Sequence, residues 1–309
     1  GQPDYGEINL SGYLLAGYRY MRDSARQVPI LTTRGCPYTC DFCSAPFLNG
    51  RKIRKHSVGY LEILIGGLYD GGMRHFNIID DNFTFDTAWA KQVCRMIVEN
   101  RWRGITFGTP NGIRVERTDE ELFALMAKAG WLQLVIAPES GSPAMVKRMA
   151  KHLDLSIIPE KTKQIQRAGM ECTAFFIIGH PGETPETVEE TKAFIRKCRF
   201  DQIHVHAFQP LQGTPVYDEM ISRGTIRPGD SILSYNEINW VPVGWTKREL
   251  LRAIAQLKSE SMRCWPWRIE WMFSKFTRTG RIVARMCSER LRIKMFGYSV
   301  VIRRLIWRL

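Results

Sequence analysis

The 309-residue sequence predicts an α/β fold, a partial (β/α)6 TIM-like barrel with a helical, basic C-terminal extension. Three observations predict it. Short apolar, β-branched runs alternate with longer amphipathic stretches from about Val28 to Phe208, the pattern of parallel strands joined by helical crossovers. With 44% hydrophobic residues, the chain can bury one large core. Polar and thiol side chains recur just after each apolar run, as expected where the C-terminal ends of parallel strands converge on one site. An open doubly wound sheet shares this periodicity and would place its ligands at the same strand ends.

In chain order, strands are expected at Val28–Thr33, Phe76–Asp80, Ile105–Thr109, Leu132–Ala137, Cys172–Ile178 and Gln202–Phe208. Helices are expected near 57–69, 87–99, 119–129, 143–150 with 157–168, and 185–198. Thr118-Asp-Glu-Glu121 has the form of a capping box, with Thr118 as the cap and Glu121 reaching back. Gly130 then ends that helix in the left-handed conformation that favours glycine. The residues that follow the six strands are the cysteines, Asp80-Asp81-Asn82, Asn111 to Arg114, Glu139-Ser140, Gly179 to Glu183, and Gln209 to Thr214.

Charge divides the chain unevenly. Residues 246–309 carry 16 basic and 4 acidic side chains, so this tail supplies +12 of the net +13. The remainder is nearly neutral, so no chain-wide nucleic-acid surface is expected. The tail, with RCWPWRIEWMFSKF and a stripe of Ile282, Met286, Ile293, Phe296 and Val300, reads either as an amphipathic segment on an anionic membrane or as a helical cap with a solvated basic face. No run of eighteen apolar residues and no signal-peptide pattern occurs in the sequence. The eight cysteines are three crowded together and five scattered singly, which fits a reducing cytoplasm, peripheral to the membrane if the tail binds lipid. The expected division is a linker at 1–27, a core at 28–225 and the extension at 226–309.

Cys36, Cys40 and Cys43 are spaced C-x3-C-x2-C. Three thiolates on one short loop can hold an iron–sulfur cube and leave one iron open, so that it can chelate a small molecule and pass it an electron. A structural zinc site would need a fourth ligand, and the nearest histidine is His56. The motif, with Phe42 as the aromatic before its last cysteine, resembles that of the radical S-adenosylmethionine (SAM) superfamily. Five segments in order resemble the core of its cobalamin-binding-domain members, the group that includes anaerobic Mg-protoporphyrin ester cyclase and class B methyltransferases. They are PILTTRGCPYTCDFCS (29–44), IIDDNFTFD (78–86), APESGSP (137–143), FFIIGHPGETPETVEET (175–191) and PLQGTPVY (210–217).

The resemblance implies a [4Fe–4S] cluster on Cys36, Cys40 and Cys43, with SAM chelating the open iron and cleaved to a 5′-deoxyadenosyl radical. It implies SAM contacts from Phe42, from Asp80, Asp81 and Asn82 toward the methionyl ammonium, from Arg114 toward the carboxylate, and from Glu139 and Ser140 toward the ribose, with Gly141 letting backbone approach the nucleoside. On their own residues Asp80, Asp81, Asn82, Glu139 and Ser140 read alternatively as helix-start caps, and Arg114 as a surface cation. Glu183 is expected to complement the dipole of the next helix rather than to take a direct part in catalysis. His204 and His206 share one face of their strand and either line the substrate cavity, ligate a metal or cobalamin, or belong to a polar face. The resemblance further implies a flavodoxin- or ferredoxin-type electron donor and a small-molecule or lipid-like substrate. The expected reaction is cobalamin-dependent methyl transfer or oxidative cyclisation, with cobalamin on a domain ahead of Gly1. A cobalamin-independent radical SAM enzyme and a non-catalytic scaffold are the alternatives. No Cys precedes Cys36, which disfavours a methylthiotransferase.

Overall fold

The computed structural model describes residues 26–229 and 238–263. The chain divides into two units, 1–260 and 261–309, and all that follows concerns the first. The linker to residue 25 and the tail from 264, including the Ile282 to Val300 stripe, lie outside the described residues.

Six parallel strands follow one another around the partial barrel in chain order. β1 (Gln27–Ile30) pairs with β4 (His75–Ile78), and β4 pairs with β5 (Thr106–Gly108). β6 (Gln133–Glu139) pairs with β7 (Glu171–Ile178), and β7 pairs with β8 (Gln202–Ala207). Two isolated parallel bridges, Phe107 to Trp131 and Ile113 to Ile136, join the two three-stranded sheets. The expected first strand is split. After Ile30 the ladder stops, and Thr33–Arg34 (β2) instead pairs antiparallel with Arg54–Lys55 (β3), so that the two short strands bracket the cysteine loop and helix α1 (Ala45–Asn49).

The crossovers are α2 (Val58–Asp70), α3 (Thr87–Asn100), α4 (Glu120–Ala129), α5 (Pro143–Arg148) with α6 (Ile158–Arg167), and α7 (Pro185–Cys198), followed by α8 (Pro215–Ser222) and α9 (Lys247–Arg263). Their starts are set by side chains that accept from otherwise orphaned N–H groups: Ser57 from Tyr60, Asp86 from Trp89, Ser142 from Met145 and Thr184 from Thr187. The expected box at Thr118 is corrected. Asp119 is the cap and accepts from Leu122 N at 2.8 Å. The Thr118 hydroxyl instead donates to Val115 O, and Glu121 pairs with Lys91 and Arg95. Asp119 is placed to cap because a 3-10 turn at Val115–Arg117 already engages Thr118. The capping box lies at α7, where Thr184 and Thr187 exchange bonds. Gly130 closes α4 at φ +107, where a Cβ would lie 2.7 Å from Ile105 O.

The core is the layer between strands and helices. Val28, Ile30, Phe76, Ile78, Phe107, Leu134, Ile136, Ala174, Phe176 and Val205 meet apolar residues of the crossover helices there. Leu250, Ala253, Ile254 and Leu257 of α9 join the same layer, and Arg196 of α7 forks onto the buried Glu260. The first turns of the basic segment are therefore core-forming. No helix among the described residues is long and apolar enough to cross a membrane.

Candidate active site

The cysteine loop is fixed by its backbone. Cys36 N donates to Gly50 O (3.1 Å), Asp41 N to Met149 O (3.0 Å) and Cys43 N to Cys40 O (3.3 Å). Gly35 adopts φ +95, and a Cβ there would meet Lys52 O at 2.4 Å, so any other residue would push the loop off the 50–52 segment. All three thiols are free and half-buried, and burial raises the pKa of each, that of Cys43 to about 11. The sulfurs are close enough for Cys40 to raise the pKa of both Cys36 and Cys43. Among the described residues no three His, Cys, Asp or Glu side chains converge closely enough to hold a single metal ion.

Two cations oppose that burial at Cys40. Arg114 Nη1 lies 3.9 Å from Cys40 Sγ, with its guanidinium 3.6 Å over the ring of Tyr38, inside the motif. The same guanidinium binds Glu116 and Lys151 O, so it is held from three sides. Lys151 Nζ, almost wholly buried, bonds Glu139 at 2.9 Å and lies 5.9 Å from the Phe42 ring centroid. Both cations lower the Cys40 pKa against the larger effect of burial. Three soft thiols in one loop with two cations beside them fit a polynuclear iron–sulfur group, whose thiolates carry net negative charge.

The other expected residues separate into those that brace the loop and those that face the site. Both carboxylate oxygens of Asp80 are engaged: one accepts from Thr32 N at 2.7 Å, the other from the hydroxyls of Thr32 and Thr33, the latter at 2.9 Å. Asp81 accepts from Gly35 N (2.8 Å) and Asn49 Nδ2 (3.1 Å). The acidic pair thus ties β4 to the thiol loop. Asn82 differs: it is 1% exposed, and neither polar atom of its amide has a partner among the described residues. Glu139 ends β6 beyond a bulge at φ +67, a strained conformation for a non-glycine residue that turns its carboxylate onto Lys151. Ser140 is buried against Thr191 at 3.1 Å. Gly141 is required by packing, because a Cβ would lie 2.4 Å from Phe194 Cβ and 2.7 Å from Thr191 Cα of α7. Its small size therefore serves the contact with α7. Phe42 packs with Ile177 against Phe208, Val216 and Met220.

The linear pattern did not reveal Lys151 or the cluster around Asp41. Asp41, within the motif, binds Arg148 at 2.9 Å and His180 Nε2 at 3.1 Å, and Arg148 continues to Glu219 at 2.8 Å. The loop is so tied to α5, to the β7 exit and to α8. Only His180, in the GHPGE segment, had a position that could have signalled this. Glu183 is buried with burial raising its pKa and accepts from Thr187, beside the α7 cap. His204 and His206 lie on one face of β8, rings 12° from parallel with centroids 6.4 Å apart, and both meet Phe175 edge-on. Burial lowers the pKa of both, and Glu139 is near enough to His206 to oppose this.

A family profile described as the radical SAM superfamily matches residues 30–195. The sequence is 32% identical over 243 residues to cytidylyl-2-hydroxyethylphosphonate methyltransferase of Streptomyces wedmorensis, covering 75% of this chain and 45% of that protein. It is 25% identical over 280 residues to anaerobic magnesium-protoporphyrin IX monomethyl ester cyclase of Cereibacter sphaeroides, covering 86% of this chain and 44% of the cyclase. The chain thus spans about half the length of these relatives. Its fold matches that of the radical SAM methyltransferase TsrM of Kitasatospora setae with tryptophan and a SAM analogue bound, at TM-score 0.62 and 17% identity, over 76% of this chain and 52% of that one. The same enzyme has been solved with cobalamin and a [4Fe–4S] cluster bound.

Proposed function

Because this chain belongs to the radical SAM superfamily and is an enzyme that uses a [4Fe–4S] cluster and SAM, we propose that it catalyses radical methyl transfer with cobalamin bound outside the described barrel. The observation that carries the SAM chemistry is the thiol triad with Arg114 and Lys151 beside Cys40. The methyl-transfer reading rests on the methyltransferase relatives.

When bound, the cluster and SAM supply a one-electron reduction of the sulfonium, and cobalamin supplies a carrier for the methyl group. The protein's own residues bind, orient and exclude water. Cys36, Cys40 and Cys43 hold the cluster. Arg114, fixed by Glu116 and by stacking on Tyr38, holds its charge at the cluster's edge, where a SAM carboxylate would meet it. The Asn82 amide, buried and unpartnered among the described residues, is the group after β4 with hydrogen-bonding capacity left for the methionyl end. Asp80 and Asp81 act through the loop they brace. Glu139 and Ser140 stand at the β6 exit toward the nucleoside, Glu139 also anchoring Lys151. Phe42 and Ile177 close the apolar side. His204, His206 and Phe175 line the wall left for substrate.

The test is anaerobic reconstitution with iron and sulfide, followed by reductant, SAM and cobalamin. Cobalamin-dependent formation of S-adenosylhomocysteine together with 5′-deoxyadenosine supports the reading. Formation of 5′-deoxyadenosine alone, indifferent to cobalamin, would replace it with a cobalamin-independent enzyme, and no SAM cleavage at all would leave a scaffold.

A further inference from the structure

From the surface directly over the cysteine loop, we infer that α1 and the β2–β3 pair form the docking site for a small acidic one-electron carrier protein. The inference rests on the radical SAM reading, because that chemistry requires one electron from outside. Four observations converge on this surface. The segment Arg51-Lys-Ile-Arg-Lys55 carries four cations and no acid, and all four are exposed. Lys55 pairs with Asp86, whereas Arg34, Arg51, Lys52 and Arg54 have no acidic partner among the described residues.

Arg34 and Arg54 are direct cross-strand partners, both exposed, on a ladder of only two residue pairs. Like charges placed opposite one another destabilise a strand pair, so the arrangement costs stability unless an anionic surface faces it. Beside them Phe47 and Leu48 are 69% and 71% exposed. The Phe47 ring is held there by Gly213, where a Cβ would lie 2.8 Å from it. An apolar centre with a charged rim is the anatomy of a protein interface, and its small extent suits the transient encounters of electron carriers.

The surface is also mechanically continuous with the cluster ligands. Gly50 O accepts from Cys36 N, Lys52 O packs against Gly35, and Arg51 reaches Tyr38 O at 3.5 Å. A carrier seated on Phe47 and the arginines thus sits one backbone layer from the loop that carries the cluster ligands. In the encounter the reduced carrier loses one electron and the cluster gains it, with no bond made or broken. An anionic membrane or an RNA would match the charge but has no reason to sit over the cysteine loop.

Reduced flavodoxin, as an acidic probe, is mixed with the reconstituted chain in stopped flow, and its affinity in the oxidised state is measured separately by surface plasmon resonance. Arg34→Glu with Lys52→Glu is expected to slow cluster reduction and raise Kd at least ~10-fold at low ionic strength, and to flatten the salt dependence of the rate. Dithionite should reduce both clusters to the same extent. Arg34→Glu alone should hold or raise the melting temperature, since it faces Arg54, and Phe47→Ala should weaken binding with no loss of charge. Lys163→Glu on α6 should leave rate and Kd unchanged. Unaltered rate and Kd in the double variant would overturn the assignment, as would an equal loss in Lys163→Glu or loss of RNA or anionic-vesicle binding alone. The Kd comparison needs no cluster, so a chain that assembles none defeats the radical SAM reading while the docking surface is still decided.

Discussion

The two sheets of the barrel differ in what their helix-averted faces carry. In β1, β4 and β5 that face is filled: Gln27, His75 and Asn77 are buried, Asn77 Nδ2 donates to Gln27 Oε1 at 3.1 Å, and His75 Nδ1 meets Thr106 Oγ1 at 2.8 Å. Gly108 adds no side chain, and a Cβ there would meet Asn77 Oδ1 at 3.4 Å. In β7 and β8 the same face is buried at Thr173, but beyond it, toward the strand ends, it carries Phe175, Ile177, His204 and His206, none of them buried. The first sheet is a packed polar support for the thiol loop, whereas the C-terminal half of the second is a wall whose side chains are not buried. Changes in the support should therefore register in cluster retention and stability, and changes in the wall should register in turnover.

The largest effect is expected at the loop the first sheet supports. Cys40→Ser should reduce iron content and SAM cleavage to background while the circular dichroism spectrum stays that of the parent chain, because burial of this thiol is a loop property and the helices pack elsewhere. A variant retaining the cluster would remove Cys40 from the ligand set.

Next is the buried ion pair. Lys151→Met leaves Glu139 charged and without its partner in the interior, which should cost about 3–5 kcal/mol in urea unfolding. Glu139→Gln in the same chain should restore most of it, and a failure to restore would mean that Lys151 acts through Arg114 or Cys40 instead.

Asp80 links the two effects to pH. Burial raises its pKa from 3.8 to about 6 despite donors from Thr32 and Thr33. The folded chain therefore binds the proton more tightly than the unfolded chain, so this group's contribution makes the protein less stable as pH rises from about 4 through about 6. Asp80→Asn should abolish that fall, about 3 kcal/mol across the window. Parallel stability curves for parent and variant between pH 4 and 7 would show that the carboxylate titrates normally.

Gly141→Ala is expected to cost about 1–3 kcal/mol through overpacking against Phe194 and Thr191, with SAM affinity preserved in the folded fraction. Lost affinity with unchanged stability would return Gly141 to the nucleoside. This residue shows where sequence reading runs out. Strand and helix positions were legible to within about two residues at most ends because they follow apolar periodicity, which is local. The cysteines were legible because their spacing is local too. The contacts that separate bracing from binding are not: Lys151 meets Glu139 across a helix, Asp41 meets His180 from 139 residues away, and the Asp80 carboxylate takes the amide of Thr32, at the point where the first strand stops. Nothing in the adjacent residues distinguishes Asp80, with both oxygens engaged, from Asn82, with both polar atoms unpartnered among the described residues.

The smallest change in stability, and the sharpest test of the contrast between the sheets, is expected at His204 and His206. Each ring meets Phe175 edge-on, His204 partly buried and His206 exposed at its outer side, and desolvation holds both imidazoles below their ordinary pKa, toward the neutral form at pH 7. A neutral imidazole on an open wall can accept or donate one hydrogen bond to a substrate without bringing charge into the cavity. His204→Ala and His206→Ala remove little packing, so their unfolding free energies should stay within about 0.5 kcal/mol of the parent. Cluster absorbance and substrate-free cleavage of SAM should be unchanged, since neither ring touches the thiol loop. With substrate present, the ratio of product to 5′-deoxyadenosine should fall, because a poorly positioned substrate leaves SAM cleavage uncoupled from product formation. Asn77→Ala, at an equally polar position of the first sheet, should show the reverse: lower stability and cluster content, with the ratio kept in the molecules that remain loaded. If the histidine variants lose cluster, or if Asn77→Ala alters the ratio alone, the division of the barrel into a support and a wall fails.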